Sequence, residues 1–318
     1  MFVSPLAHVK WFTDPSRHPT DYALLLTPPV IAAFVIALAV VGAAWLIARR
    51  VPEPRLVGEV ERFAGLAPLA LRLCVGIGLV AASLVGLLFV PSLRVERDGE
   101  GLALLGAELV VGLMIALGLG TRIAALGLAV LGAVAMIPFS LESILEQVHL
   151  LGAAVYLFVI GRGALALDRL LQRRSIEDQR APRFALNVLR VAMGFGIAFG
   201  ALTEKLLDPA LSAALLSERP ELNVLRGLGV GDPQFIYLAG LAELVIGAVI
   251  ISGQLARPVM AVGAVLFTIT LPLFGWYELL GHLPYYGMFF AIFLAPAARS
   301  PRVRRRQLRR GRLLAPQI

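Results

Sequence analysis

Charge is what this sequence has least of. Only 16% of its 318 residues are Asp, Glu, Lys or Arg, against about 25% in an ordinary soluble domain. Cysteine is almost absent. Cys74 stands alone inside an apolar run, which excludes a disulfide scaffold, a thioredoxin-like pair and a Cys-x-x-Cys-His haem attachment. There is no His-Glu-x-x-His, so a zincin site is excluded as well. The first 26 residues hold Lys10, Asp14, Arg17 and Asp21, lack the apolar stretch of a signal peptide, and are expected to form a short tail. Basic residues exceed acidic ones by 29 to 21. The excess is not spread over a folded face, since eight arginines lie between Arg299 and Arg312 and most others flank apolar segments. Such placement suits cytoplasmic loops against anionic lipid and argues against a nucleic-acid partner.

Hydrocarbon fills the chain instead: 58% of residues are hydrophobic and the mean hydropathy is +0.83. The runs are long enough to cross a bilayer, which takes about 20 residues per helix. Nine apolar segments are expected as spans, with cores near 27–48, 67–92, 101–119, 122–140, 147–167, 184–203, 234–252, 256–274 and 283–297. Basic residues follow the first, third, fifth, seventh and ninth, singly as Arg122 after the third and Arg257 after the seventh, whereas Glu142, Glu146, Glu204, Glu218, Glu221, Asp232 and Glu278 fall on the opposite side. The positive-inside rule then places the N-terminus outside and the Arg-rich C-terminus in the cytoplasm of a multi-pass cell-membrane protein. His8, His18, His149 and His282 all come to the outer side.

An internal repeat is visible. Ala107-Glu108-Leu109-Val110-Val111-Gly112, then Gly118 and Arg122, recurs 135 residues later as Ala242-Glu243-Leu244-Val245-Ile246-Gly247, then Gly253 and Arg257. Upstream, Leu71-Arg72 with Gly76 and Gly78 recurs 118 residues later as Leu189-Arg190 with Gly194 and Gly196, so the second copy has 17 additional residues in its first outer loop. Four spans per copy give both the same orientation, the parallel kind of repeat. The expected fold is all-α: a polytopic membrane protein of about nine transmembrane helices, two parallel-repeat four-helix bundles plus one N-terminal helix. The expected divisions are 1–60 for the outer tail and first helix, 61–171 and 184–300 for the two units, 172–183 for a charged cytoplasmic linker, and 301–318 for the Arg-rich tail.

Arg190, Gly194, Gly200 and Lys205, followed by Ala242-Glu243-Leu244 with Gly247, Gly253 and Arg257, resemble the DoxX/DoxD-like integral membrane family. That family's unit has four helices, with an Arg and a Lys on the first and Glu-Leu-x-x-Gly on the second. The first copy departs from the pattern, because Leu87 stands where the lysine would be. The resemblance implies a membrane subunit that meets the quinone pool, as in thiosulfate:quinone oxidoreduction. Other relatives accompany the maturation of periplasmic proteins.

Glu108 and Glu243 sit seven to nine residues inside their spans, roughly 10–13 Å deep at about 1.5 Å per residue. A carboxylate at that depth is costly and is a candidate for catalysis or for bonding a quinone, although locking its own bundle is the plainer use. Lys205 lies near the same outer level as Glu243. Arg72 and Arg190 are shallow enough to snorkel to cytoplasmic headgroups. At the outer rim, Glu146 with His149 and Glu278 with His282 have spacings of three and four, which put acid and imidazole on one helix face. Two histidines at one height could bind a metal, as haem axial ligands or in a copper site, although no motif supports either; helix capping is the plainer role. Gly281-His282-Leu283-Pro284-Tyr285-Tyr286-Gly287, preceded by Trp276-Tyr277, offers either an interfacial aromatic belt or a wall for a flat quinone ring. His8, Lys10, Trp11 and Phe12 could fold over that rim.

The leading expectation is a membrane subunit of a quinone-linked redox system. Glu243, Lys205 and His282 would hold the head group, Glu108 would be the first copy's equivalent acid, and Tyr285, Tyr286 and Trp276 would wall the ring. Electrons would come from a periplasmic donor or a periplasmic or membrane partner protein. The alternative is a non-catalytic scaffold or assembly factor acting through the outer loop 204–233, and after that a small-solute carrier.

Overall fold

The computed structural model describes residues 8–51, 59–161, 163, 165–168 and 182–295. Most of the expected linker and the whole of 301–318 lie outside them. Among the described residues every regular element is helical, and the only β-type pairing is an isolated bridge between Leu87 and Arg94. The helices are α1 (Pro28–Arg50), α2 (Ala67–Leu84), α3 (Gly99–Leu117), α4 (Thr121–Val134), α5 (Leu141–Glu146) and α6 (Val148–Ile160). They continue with α7 (Arg183–Ala201), α8 (Pro209–Glu218), α9 (Asp232–Ser252), α10 (Ala256–Phe274) and α11 (Trp276–Leu294).

Six of the helical stretches are long and apolar enough to cross a membrane: those containing α1, α2, α3, α7, α9 and α10. α4 and α6 are apolar but have only 14 and 13 residues. Several expected limits move for local reasons. The second segment stops at Leu84, and residues 85–93 fold back tightly, with Phe89 at φ 68°. The fifth stops at Ile160 because Gly161 leaves helical space at φ 77°. The ninth begins at Trp276, not near 283, so His282 is interior to α11 rather than its opening residue.

Helices adjacent in sequence pack side by side, and α11 returns to α2, which closes α2, α3, α4, α6, α7, α9, α10 and α11 into a ring. α1 stands outside the ring against α9. Bare backbone permits the tightest contacts, as expected where helices pack without a hydrophobic driving force between them. A Cβ on Gly76 would fall 2.7 Å from the Gly112 carbonyl, and one on Gly194 would fall 2.7 Å from that of Gly247. Likewise, a Cβ on Gly152 would lie 2.5 Å from the Ala192 side chain, and one on Gly287 2.8 Å from that of Cys74. Each of these contacts maps onto its counterpart by the offsets of 118 and 135. α6 thus packs on α7, and α11 on α2.

The arginines do not snorkel. Arg72 donates to the Leu165 carbonyl at 3.0 Å and lies against left-handed Gly118. Arg190 donates to the carbonyls of Ile250 (2.6 Å) and Ile251, beside left-handed Gly253. Arg190 thus satisfies acceptors that the end of α9 leaves open, and Arg72 one in the turn beyond Gly161. Arg257 is buried too, bonded to the Phe293 and Ala295 carbonyls and to Glu61.

A Gly247→Ala substitution is expected to destabilise the protein by about 1–3 kcal/mol through overpacking. Gly42→Ala, where the added carbon meets nothing within 4 Å, is expected to leave the detergent melting curve in place. Coincident curves for the two variants would contradict the close helix contact.

Candidate functional site

Apart from Glu108 and the arginines already described, many of the buried polar side chains gather at one end of the ring, where the N-terminal tail contacts them. α7 ends in a single π-helical turn, Leu202–Leu206, whose Thr203, Glu204 and Lys205 are all buried. Widened turns of this kind re-aim side chains and are frequent at functional sites. Lys205 Nζ donates to Glu243 Oε2 at 2.8 Å, so α7 and α9 are joined by a buried ion pair. Glu204 faces the tail: its Oε1 is 3.1 Å from His8 Nδ1, and its Oε2 accepts the Val9 N–H at 2.5 Å. Thr203 donates to Glu146 at 2.6 Å, and Glu146 also accepts from Lys10 at 2.5 Å. Glu142 takes the second contact of Lys10 at 2.7 Å and bonds the hydroxyls of Thr20 and Tyr22.

The tail therefore does fold over the rim. Its short 3-10 turn, Val9–Trp11, is wholly buried, and Trp11 occupies the space over Gly281, where a Cβ would come within 2.1 Å of the indole. Beneath it His282 is fully buried, stacked on Phe267 at 4.0 Å and 5.2 Å from Trp11 by ring centres. Its Nδ1 lies 3.4 Å from Glu278 Oε1, and neither ring nitrogen makes a hydrogen bond. His149 stacks on Tyr285 at 4.2 Å; the His149 Nε2 and the Tyr285 hydroxyl are also without hydrogen-bond partners.

Of the residues expected to act together, Lys205 and Glu243 are paired directly. His282 lies 6.0 Å by ring centres from His8, which bonds Glu204, the residue before Lys205. Tyr285 belongs to the same cluster. Tyr286 instead bonds Thr268 at 3.1 Å, and Trp276 is 52% exposed and packed on Tyr277. Glu108 is fully buried elsewhere, accepting the Phe89 N–H at 2.8 Å and so holding the turn next to Leu87, the residue 118 positions before Lys205. His149 and His282 share Tyr285 as a neighbour, and among the described residues no group of three or more His, Cys, Asp or Glu is placed to hold a metal ion.

Two cavities meet at Lys205. One is a small internal chamber of about 40 Å³ lined by Val9, Lys205, Ser212, Phe235, Ala239 and Phe274, among others. The second is a groove of about 590 Å³, mostly apolar, bounded by Val30 of α1, Lys205, Leu206, Pro209, and Ile236 and Tyr237 of α9. The segment expected to be a long outer loop is a folded wall here, since α8 and its neighbours cover the internal chamber. Glu146, expected to face His149, offers that ring only its backbone carbonyl and turns its carboxylate to Lys10 and Thr203, and neither Glu204 nor Thr203 was singled out as a partner from sequence. The available signal was three consecutive polar residues, Thr203-Glu204-Lys205, at the end of an apolar helix.

Comparison with known proteins gives no match to a family model, to a curated protein or to a solved structure.

Electrostatics at the tail follow from these contacts. Burial works against charge on His8, but the Glu204 carboxylate outweighs it and holds the imidazole above its ordinary value. Lys10 is likewise kept charged, burial being overcome by Glu146 and Glu204. Burial raises Glu142, but its bonds to Lys10 and Tyr22 outweigh that and bring it below the usual carboxylate range. Tyr22, partly desolvated and bonded to Glu142, is pushed up to about 12. The His8 contribution to tail docking is complete below the ordinary histidine value of about 6.5 and is lost as pH rises through the raised one. That of Glu142 is present above the ordinary carboxylate range and is lost as pH falls through the lowered value. Amide protection factors over residues 8–13, with the intrinsic base catalysis of exchange divided out, are accordingly expected to be highest at mildly acid pH and to fall toward alkaline pH. A profile without that alkaline limb would show that the His8–Glu204 contact does not hold the tail.

Proposed function

We propose that this chain is a quinone-binding membrane subunit of a redox system. The observation that carries the proposal is that Lys205, paired with Glu243, lines an apolar groove that opens beside α1. A prenylated ring has a flat polar head and an apolar tail, and the groove offers the tail a lateral path while Lys205 offers the head a charged donor. Glu243 Oε1 is buried without a hydrogen-bond partner and is free to accept one from a quinol hydroxyl. Leaving such an atom unsatisfied is costly, which favours a ligand or water there.

In the fuller form of this reading, the nine apolar helices cross a cell membrane with the tail outside, as two parallel four-helix units of DoxX-like type. A periplasmic donor or partner protein would deliver electrons at the tail end, as in thiosulfate:quinone oxidoreduction. The second reading is a scaffold for a partner complex. It is favoured by the pairing of Lys10, Lys205, Glu204 and Glu243 within the chain, which suits a fixed structure.

Replacing the ion pair by apolar residues, Lys205→Met with Glu243→Leu, is expected to leave folding intact, since buried pairs exchange for hydrocarbon at little cost. Binding of decylubiquinone by the purified protein in nanodiscs is expected to fall about tenfold or more, the worth of a charge-assisted hydrogen bond of roughly 1.5–3 kcal/mol. Unchanged binding by the folded double variant, or absence of quinone from organic extracts of the native protein, would favour the scaffold.

A further inference from the structure

We infer that His8, supplied by the N-terminal tail, is the relay that exchanges protons between the Lys205–Glu243 pocket and the aqueous phase at that end of the bundle. This rests on the quinone reading and adds to it a group from outside the helical units. Reduction of one quinone to quinol takes two electrons from a donor, such as a small sulfur oxyanion, and places one proton on each carbonyl oxygen. Lys205 and Glu243 are both buried, so each proton they hand over must be replaced from water.

His8 is placed to replace it. Its side chain is 13% exposed, whereas that of Glu204, to which it bonds, is 1% exposed. It therefore touches solvent on one side and a buried acid on the other. Gly200 makes the room: a Cβ there would come within 3.2 Å of the imidazole Cε1. Glu204 and Lys205 face the ring from the π-turn and Glu243 from α9, all within electrostatic reach. Glu278 and His282 face it from α11, and His149 from α6. Val9, the next residue, lines the internal chamber together with Lys205. An imidazole is also the side chain whose ordinary titration range lies nearest neutrality, as proton exchange requires.

The test uses the full chain in nanodiscs, run in the direction of quinol oxidation, where the same groups carry protons outward. Decylubiquinol gives two electrons to two ferricyanide ions and releases two protons, and the rate is corrected for empty nanodiscs. His8→Gln is expected to bind decylubiquinone with the Kd of the parent and to lose roughly a hundredfold in turnover. Added imidazole is expected to restore much of that loss, and the solvent deuterium isotope effect to be larger in the variant. Tail seating is read from Trp11 emission in a Trp45→Phe, Trp276→Phe background. Parent-like turnover in His8→Gln overturns the relay and leaves the quinone reading standing. The same conclusion follows if imidazole restores nothing and Trp11 emission shows the tail unseated. If the parent chain binds no decylubiquinone, both proposals fall.

Discussion

The structure at the tail end depends on one electrostatic constraint. Glu146, Glu204 and Glu243 lie buried within a single cluster, and each ion removed from water costs several kcal/mol unless it is paired and hydrogen-bonded. The bundle supplies only Lys205 among them. The remaining counter-charge comes from outside the ring, through His8 and Lys10. The π-turn, the gap over Gly281, the space at Gly200 and the course of the tail all serve to bring those cations to those acids.

The second constraint is distance between backbones. Gly76 with Gly112, and Gly194 with Gly247, allow α2 to meet α3 and α7 to meet α9 at separations no side chain would permit. Close packing in turn fixes the heights at which Glu108 and Glu243 stand. The same acid then has two fates. Where the matching position before the longer loop is Lys205, it pairs with Glu243; where it is Leu87, a tight turn gives Glu108 a backbone N–H. Sequence equivalence between the two acids therefore does not carry equivalence of chemistry.

Much of the helical layout was legible because hydrocarbon length and glycine spacing are local properties of a sequence. Ala242-Glu243 and Lys205 could be placed at one level by counting residues along two helices. The pairing of Lys10 with Glu142 and Glu146 could not, since it joins residues 132 and 136 apart through a tail with no periodic pattern. The arginines misled for a related reason. A cation near a helix end reads as membrane-facing, and only the fold reveals that Arg72 and Arg190 turn inward to carbonyls of a neighbouring segment. Trp276 and Tyr286 were grouped with His282 and Tyr285 but fall on other faces of α11, because each step along a helix turns the side chain by about 100°.

The tail's anchorage also orders events during synthesis. Residues 8–22 leave the ribosome before any helix of the ring exists, yet Glu142 and Glu146 follow more than a hundred residues later and Glu204 later still. The segment made early is therefore obliged to wait, and its seating reports that α5, α6 and the end of α7 have found their places. A chain arrested or cut before Glu204 would leave His8 without its partner and the segment around Trp11 without its seat.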